Sequence, residues 1–162
     1  VRGMPLLMLI FWAYFVVPKL IGTSVSGFTT LVCALVIYEA AYLSEVIRGG
    51  IEAIPKGQIE ASRSMGASYM TTMCRVVLPQ ALFNVLPSMT NQFVSTIKET
   101  SLGYVISVNE LTFSANQVNN LVLTQPLQTF GVLAIMYFSV CFSLSRGLRW
   151  LDGRVRRARA MV

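Results

Sequence analysis

The stretch that decides the fold runs from Ile54 to Pro79 and reads IPKGQIEASRSMGASYMTTMCRVVLP. It is the only long polar interval between strongly apolar segments. Pro55 suits the first turn of a helix, where its missing N–H is not needed. Gly66 suits a helix C-cap, where the backbone often takes a positive φ, and Ser68 can cap a new helix with its hydroxyl. The sequence therefore predicts a short helix, a sharp stop and a second helix that continues into apolar sequence.

The composition is that of an integral membrane protein. Hydrophobic residues make up 54% of the 162 residues and charged residues 12%, whereas soluble domains carry about 25% charged residues. A soluble domain with a very large core is the disfavoured alternative. No secretory-type N-terminus with a cleavage site is present. Because the chain begins at Val1 in the middle of a pattern, we expect its N-terminal helix to be missing.

Four membrane elements are predicted, at about residues 4–20, 26–47, 76–97 and 126–144. The first is somewhat shorter than the ~20 residues that a span usually needs. Between the third and fourth, the apolar part from Ser101 to Leu111 is too short to span, and we expect a buried or re-entrant piece. Near the end of the second, Glu45 and Arg48 are spaced to pair on one helix face. The predicted fold class is all-α, a polytopic transmembrane helical bundle.

The basic residues predict the orientation. Ten of the thirteen form two groups, one around the 54–79 stretch and one in the C-terminal tail. The groups are Arg48, Lys56, Arg63 and Arg75, then Arg146, Arg149, Arg154, Arg156, Arg157 and Arg159. The positive-inside rule places both in the cytoplasm, which also puts Arg2 inside and the loop at Lys19 outside. A nucleic-acid partner is disfavoured, because basic residues directly after a span normally signal topology and a lipid surface.

The 54–79 stretch also resembles a known motif. Glu60-Ala61-Ser62, three residues, Gly66, nine residues and Val76-Val77-Leu78-Pro79 follow the signature loop of ABC importer permeases, with Ser62 for Ala and Val76 for Ile. The flanks YEAAYLSEVIRGGIEAIPKGQ, LPQAL and KETSLGYVI resemble the polar amino-acid uptake branch of that family. The resemblance covers nearly the whole chain.

This resemblance implies a function. The chain would be a single permease domain over residues 1–162, of the type I ABC importer fold, in the bacterial cytoplasmic (inner) membrane. A cytoplasmic coupling loop at about 54–75 would dock on separate ATPase subunits, which bind the ATP. A second permease, a copy or a sister chain, and a periplasmic or extracellular solute-binding protein would complete the importer. The substrate would be a polar amino acid, with glutamate or aspartate suggested and basic or neutral ones left open. The implied ATPase-coupling residues are Glu60, Ala61, Gly66, Leu78 and Pro79.

Chemical motifs are absent from the sequence. There is no Gly-x-x-x-x-Gly-Lys-Ser/Thr phosphate loop, no histidine and no recognisable nucleophile elbow. Cys33, Cys74 and Cys141 have no paired spacing and are expected to be buried apolar thiols. We therefore expect no catalytic residue, no metal site and no cofactor in this chain.

Polar residues in the third predicted span suggest a solute path. Five recur at helical spacing, which places them on one face: Gln80, Asn84, Ser88, Asn91 and Ser95. The alternative is hydrogen bonding between helices without a solute. Glu110 lies in otherwise neutral sequence and needs a partner if buried. That partner is the ammonium or cationic head of an amino acid, or Lys98, unless Glu110 is simply exposed at the outer surface.

Two other functions remain open. A passive channel would need no ATPase and would conduct without ATP. A membrane-anchored signalling or scaffold protein would normally carry a soluble domain, which this sequence lacks.

Overall fold

The computed structural model describes residues 3–123 and 125–160, with side chains up to residue 154. That part of the chain contains helices and no strand, so the predicted all-α class is confirmed. The α-helices of the described residues are α1 Leu6–Phe15, α2 Val17–Ile21, α3 Gly27–Glu52, α4 Lys56–Ser64, α5 Tyr69–Thr72, α6 Leu78–Glu99, α7 Leu111–Val122 and α8 Pro126–Ala160. A π-helical turn, Met73–Val77, joins α5 to α6, and a 3₁₀ segment, Thr100–Ile106, follows α6.

Within the described residues, two helices are long and apolar enough to cross a membrane: α3 and the Pro126–Arg154 part of α8. The first predicted span is a shorter apolar helical stretch, Leu6–Ile21. The third predicted span is helical as expected, and the 22 residues of α6 reach about 33 Å. Its polar residues keep its hydropathy below that of α3 and α8, so its membrane crossing stays a prediction.

The first predicted span is interrupted. The sequence predicted one continuous element at 4–20, but the helix breaks at Val16 between α1 and α2. Pro18 explains the break, because proline has no N–H to donate and its ring clashes with the carbonyl four residues earlier. Gly22 then ends α2 with φ +72 and donates its N–H to the Pro18 carbonyl at 3.0 Å.

The fourth predicted span continues much further than Leu144. Helix α8 runs to Ala160, because the sequence after Leu144 contains no proline and is rich in good helix formers such as arginine and leucine. Part of the basic tail is therefore helical. The side chains of Arg156, Arg157 and Arg159, and the whole of Arg2, lie outside the described residues.

The chain forms two compact units. The first contains residues 1–41 and 93–146, and its apolar core joins α1, α3 and the segment after α6. The buried residues of this core are Leu6, Leu9, Ile10, Leu31, Ala34, Leu35, Ile106 and Val108. Gly103 is buried too, so the predicted burial of the Ser101–Leu111 segment is confirmed at these positions. Ser107 turns the chain there with φ 58.

The second unit contains residues 42–92 and 147–162. Its buried residues are Ile54, Val77 and Ala81, with Ile51, Ile59 and Met73 packed against them. These side chains come from the end of α3, from α4, from the π-helical turn and from the start of α6. This apolar cluster therefore packs α4 against the first turns of α6.

Candidate coupling surface and solute path

The helix stop predicted at Gly66 is present. Helix α4 begins directly after Pro55, which is its N-cap residue, and ends at Ser64. Gly66 has φ +85 and donates its N–H to the Arg63 carbonyl at 2.9 Å. Ala67 donates to the Ser62 carbonyl at 3.3 Å. These bonds satisfy carbonyls that a helix end leaves open, and only a residue that accepts the left-handed region fits at Gly66 without strain.

The capping role of Ser68 is also confirmed. Its Oγ accepts the Thr71 N–H at 3.2 Å and opens α5. The motif departure at Ser62 has a partner as well. The hydroxyls of Ser62 and Thr72 lie 2.9 Å apart, and Thr72 is buried. A serine in place of the motif's alanine thus adds a polar link between α4 and α5.

The loop presents an exposed surface, which we call the coupling surface. It consists of Glu60, Ala61, Met65, Gly66, Tyr69 and Met70, all of them exposed. Met65 is 87% exposed, and Tyr69 and Met70 are 59% and 66% exposed. Ala61, Met65 and Gly66 line an open groove together with Gly57, Gln58, Ser62, Ala67 and Val76. Large apolar side chains grouped on a surface are typical of an interaction site.

Leu78 and Pro79 lie apart from this groove. They form the first turn of α6, directly after the π-helical turn. Leu78 donates its N–H to the carbonyl of Met73, five residues earlier. Pro79 has no N–H, so the carbonyls that would face it lack this donor. The Leu-Pro end of the motif therefore coincides with the change from π-helical to α-helical backbone.

Gln80 has contacts that the sequence did not predict. Its Nε2 donates to Gln58 Oε1 at 3.0 Å and to the Val76 carbonyl at 2.8 Å. The side chain thus links α4 to the turn that precedes α6. Gln58 and Gln80 are 22 residues apart, and a helical periodicity within α6 carries no signal for such a partner.

The other residues of the predicted polar face lie further along α6. Asn84, Ser88 and Asn91 are exposed and Ser95 is half-buried. In the described part of the chain, these four side chains form no hydrogen bond with another residue, and their place on a solute path stays a prediction. Thr96 on the same helix donates from Oγ1 to Glu39 Oε1 of α3 at 2.8 Å. The two residues are 57 positions apart, and the sequence carries no signal for this contact.

Glu110 is held by donors of its own unit. Its carboxylate is the N-cap of α7, with Oε2 accepting the Thr112 N–H and Oε1 the Phe113 N–H, both at 2.7 Å. The Tyr137 hydroxyl donates to Oε2 at 3.2 Å. The positive end of the helix dipole also favours a carboxylate there. Glu110 is half-buried, and Lys98 is not among its partners in the described residues. An acidic residue directly before a helical run is a known capping pattern, so the sequence carried this signal.

The predicted Glu45–Arg48 pair is confirmed. Arg48 Nη2 lies 3.2 Å from Glu45 Oε1. The Glu45 side chain is 37% exposed and the Arg48 side chain 66%, so the pair contributes little to stability. Cys33 and Cys74 are exposed and Cys141 is half-buried, which differs from the buried thiols expected, because apolar helix faces are left uncovered in this chain.

Comparisons with known proteins identify the family. The family described as "Binding-protein-dependent transport system inner membrane component" matches residues 1–157. The chain is 42% identical over 156 residues to the probable glutamine ABC transporter permease protein GlnP of Bacillus subtilis (strain 168), covering 95% of this chain and 71% of GlnP. It is 34% identical to the inner membrane amino-acid ABC transporter permease protein YhdY of Escherichia coli (strain K12), covering 98% of this chain and 44% of YhdY.

Solved structures agree with this match. The chain superposes on the crystal structure of an amino acid ABC transporter with histidines with a TM-score of 0.88 at 33% identity, covering 94% of this chain and 71% of that one. A TM-score of 0.67 at 24% identity relates its fold to the inward-facing MetNI methionine ABC transporter, covering 91% of this chain and 69% of that one. The predicted type I permease fold and the family resemblance are confirmed. The chain therefore belongs to the inner-membrane components of binding-protein-dependent transport systems, in the branch of amino-acid ABC transporter permeases, and is a membrane transport subunit.

Proposed function

We propose that this chain forms part of the translocation path of a bacterial importer for polar amino acids and couples that path to separate ATPase subunits. The observation that carries the proposal is the coupling surface, where the exposed Met65, Tyr69 and Met70 flank the small residues Ala61 and Gly66. An apolar surface that borders small residues suits docking into a groove of another protein. Glu60 adds a polar contact at its edge.

The proposed partners follow from the family. Separate ATPase subunits bind the ATP, and one of them docks on the coupling surface of this chain. A second permease, a copy or a sister chain, faces the polar side of α6 across the path. A solute-binding protein delivers the amino acid from outside, and lipid surrounds the apolar helices. The exposed apolar residues of α8, among them Ile135 and Phe138, fit the lipid or the second permease.

For the substrate, we propose a polar amino acid with a neutral side chain, glutamine first. The relatives include permeases named for glutamine, for cystine and for arginine. The predicted path residues Asn84, Ser88, Asn91 and Ser95 are amides and hydroxyls, which hydrogen-bond a carboxamide without needing a counter-charge. Glutamate or aspartate, suggested by the sequence resemblance, would need a cation that this face does not supply.

Reconstitution tests the proposal. Full-length permease, its ATPase and its binding protein are placed in proteoliposomes with ATP inside. We expect uptake of radiolabelled L-glutamine with ATP and none with a non-hydrolysable analogue. Unlabelled L-glutamine, L-glutamate, L-aspartate and L-arginine then compete for uptake, and their ranking identifies the side chain preferred. Uptake that proceeds equally without ATP hydrolysis would contradict the importer and favour the passive channel.

A further inference from the structure

The side chain of Gln80 is fully committed as a donor. A carboxamide NH₂ group has two hydrogens to donate. In this chain one goes to Gln58 Oε1 at 3.0 Å and the other to the Val76 carbonyl at 2.8 Å. Only Oε1 of Gln80 remains for any other partner. A residue with this bonding is better suited to hold two elements together than to bind a passing solute.

Gln80 lies in the first turn of α6, directly after the π-helical turn. Pro79 removes a backbone donor at the point where the π-helical turn passes into α6. The Gln80 side chain brings an additional donor to the Val76 carbonyl in that turn. π-helical turns of this kind are often found at functional sites. The start of α6 is therefore braced by a side chain that also reaches α4.

Helix α4 contacts the continuous segment of α5, the π-helical turn and α6 at three places. Gln58 bonds Gln80 near the start of α4, and Ile59 packs against the buried cluster that includes Val77. Ser62 bonds Thr72 near the end of α4. Attachment along the length of α4 limits its rotation against α6.

We infer that the hydrogen bond between Gln58 and Gln80 is a strut that transmits the movement of α4 to α6. Gln80 is then a residue that positions α6 relative to α4, and not a residue of the solute path. The inference rests on the proposed function of the coupling surface. Loss of the strut lets α4 follow the ATPase while α6 lags behind. ATP is then hydrolysed with less amino acid moved for each ATP.

A double-mutant cycle in the reconstituted importer tests this role. The variants are Gln58→Ala, Gln80→Ala and their combination, and the measured quantity is L-glutamine transported per ATP hydrolysed. Losing neutral hydrogen bonds should lower this ratio about three- to tenfold in each single variant. The double variant should fall no further than Gln80→Ala, because Gln58→Ala removes a bond that Gln80→Ala has already removed. Permease in the membrane and ATPase retained on purification should stay near wild type.

Two further combinations make the test specific. Ser68→Ala removes only the cap of α5, so its effect should add to that of Gln80→Ala. Gln58→Glu with Gln80→Lys should restore the ratio above that of either single change, because the lysine can donate to both the glutamate and the Val76 carbonyl. Additive losses for Gln58→Ala and Gln80→Ala, or a loss for Gln80→Ala with Gln58→Ala unaffected, would overturn the strut and favour a solute contact at Gln80.

Crosslinking separates a failure of the strut from a failure of the proposed function. Cysteines replace Gln58 and Gln80 in full-length permease in native membranes, in a background without Cys33, Cys74 and Cys141. A short bifunctional thiol reagent should join them, whereas a Gln58–Asn91 pair, about 16 Å further along α6, should remain unjoined. No reaction of the 58–80 pair overturns the strut. Reaction of that pair without any ATP-dependent uptake supports the contact and rejects the importer.

Discussion

Two adjacent glycines of α3 have opposite surroundings. A Cβ on Gly50 would overlap Val85 Cγ1 of α6 and lie 3.2 Å from the Ala81 carbonyl. A Cβ on Gly49 would meet nothing within 4 Å in this chain. Valine in a helix is nearly fixed in one rotamer and the carbonyl is backbone, so neither neighbour can easily move away. Gly50 is therefore needed for the close approach of α3 and α6.

We expect Gly50→Ala to destabilise the permease by about 1–3 kcal/mol, the usual cost of overpacking. Gly49→Ala is the matched control, because both changes add the same methyl group to the same helix. Thermal unfolding of the detergent-solubilised permease measures the difference. Equal melting temperatures for the two variants would contradict the close packing described here.

A second prediction concerns Glu110, whose contact with the ammonium group of a solute stays a prediction. Glu110→Gln keeps one of the two oxygens that cap α7 and removes the charge. A contact between Glu110 and the solute predicts that uptake falls about tenfold or more, as for loss of a charged hydrogen bond. Tyr137→Phe is the control, since it removes one donor and leaves the carboxylate charged. Assembly and basal ATPase activity should survive in both. Normal uptake by Glu110→Gln would leave Glu110 with a purely structural role.

Some residue roles could be read from the sequence because they are local. Gly66 and Ser68 act on backbone groups within three or four residues, and such capping chemistry follows fixed patterns. The cap at Glu110 is equally local, because an acidic residue directly before a helical run is a capping pattern. The partners of Gln80 and Glu39 lie on other helices, and only the tertiary structure brings them together.

At the scale of elements, the coupling loop can be tested with two glycines of the same conformation. Gly66 has φ +85 and Gly22 has φ +72, and a Cβ on either would meet nothing within 4 Å of this chain. Substitution by valine costs about 1–2 kcal/mol in the left-handed region at both positions. Asparagine tolerates that region and avoids most of this cost. Only Gly66 lies on the coupling surface.

We therefore expect Gly66→Asn and Gly66→Val to weaken ATPase retention on purification, or to allow ATP hydrolysis without uptake. Gly22→Asn and Gly22→Val should leave both properties near wild type. Glu60→Ala should act as Gly66→Asn does, but more mildly. Permease content of the membrane is measured in parallel, so that a folding defect is recognised. If Gly66→Asn keeps full ATPase attachment and normal uptake, the loop is only a connector.

Element boundaries were harder to predict than the elements themselves. The break between α1 and α2 follows from Pro18, a signal that an apolar count over residues 4–20 passes over. The extension of α8 beyond Leu144 follows from helix propensity, because the apolar run ends there but the helix formers continue. Hydropathy marks where lipid contact ends and propensity marks where the helix ends, and in α8 the two differ.

At the scale of the whole molecule, the apolar faces of α3 and α8 in the described residues are largely uncovered by the rest of the chain. None of the most apolar stretch of α8 is buried, and in α3 the buried share is 17%. The polar face of α6 is also largely exposed. The apolar faces of α3 and α8 suit contact with lipid. The polar face of α6 suits contact with a second subunit around a solute path. A sequence read alone could predict both kinds of surface, but which surfaces pair depends on contacts with a second subunit, a copy or a sister chain.

The last prediction concerns the orientation of the chain in the membrane. The clustering of ten basic residues predicts that the 54–75 loop lies in the cytoplasm and the 19–24 loop outside. Single cysteines are introduced at Lys56 or at Ser24, both exposed positions, in a permease from which Cys33, Cys74 and Cys141 have been removed. Ser24 is preferred to Gly22 because a cysteine at Gly22 would be strained by its positive φ. In intact cells a membrane-impermeant maleimide should label the Ser24 variant alone, and after permeabilisation it should label both. Labelling of both variants from the same side of the membrane would contradict the predicted orientation. It would also contradict the predicted access of an ATPase to the coupling surface.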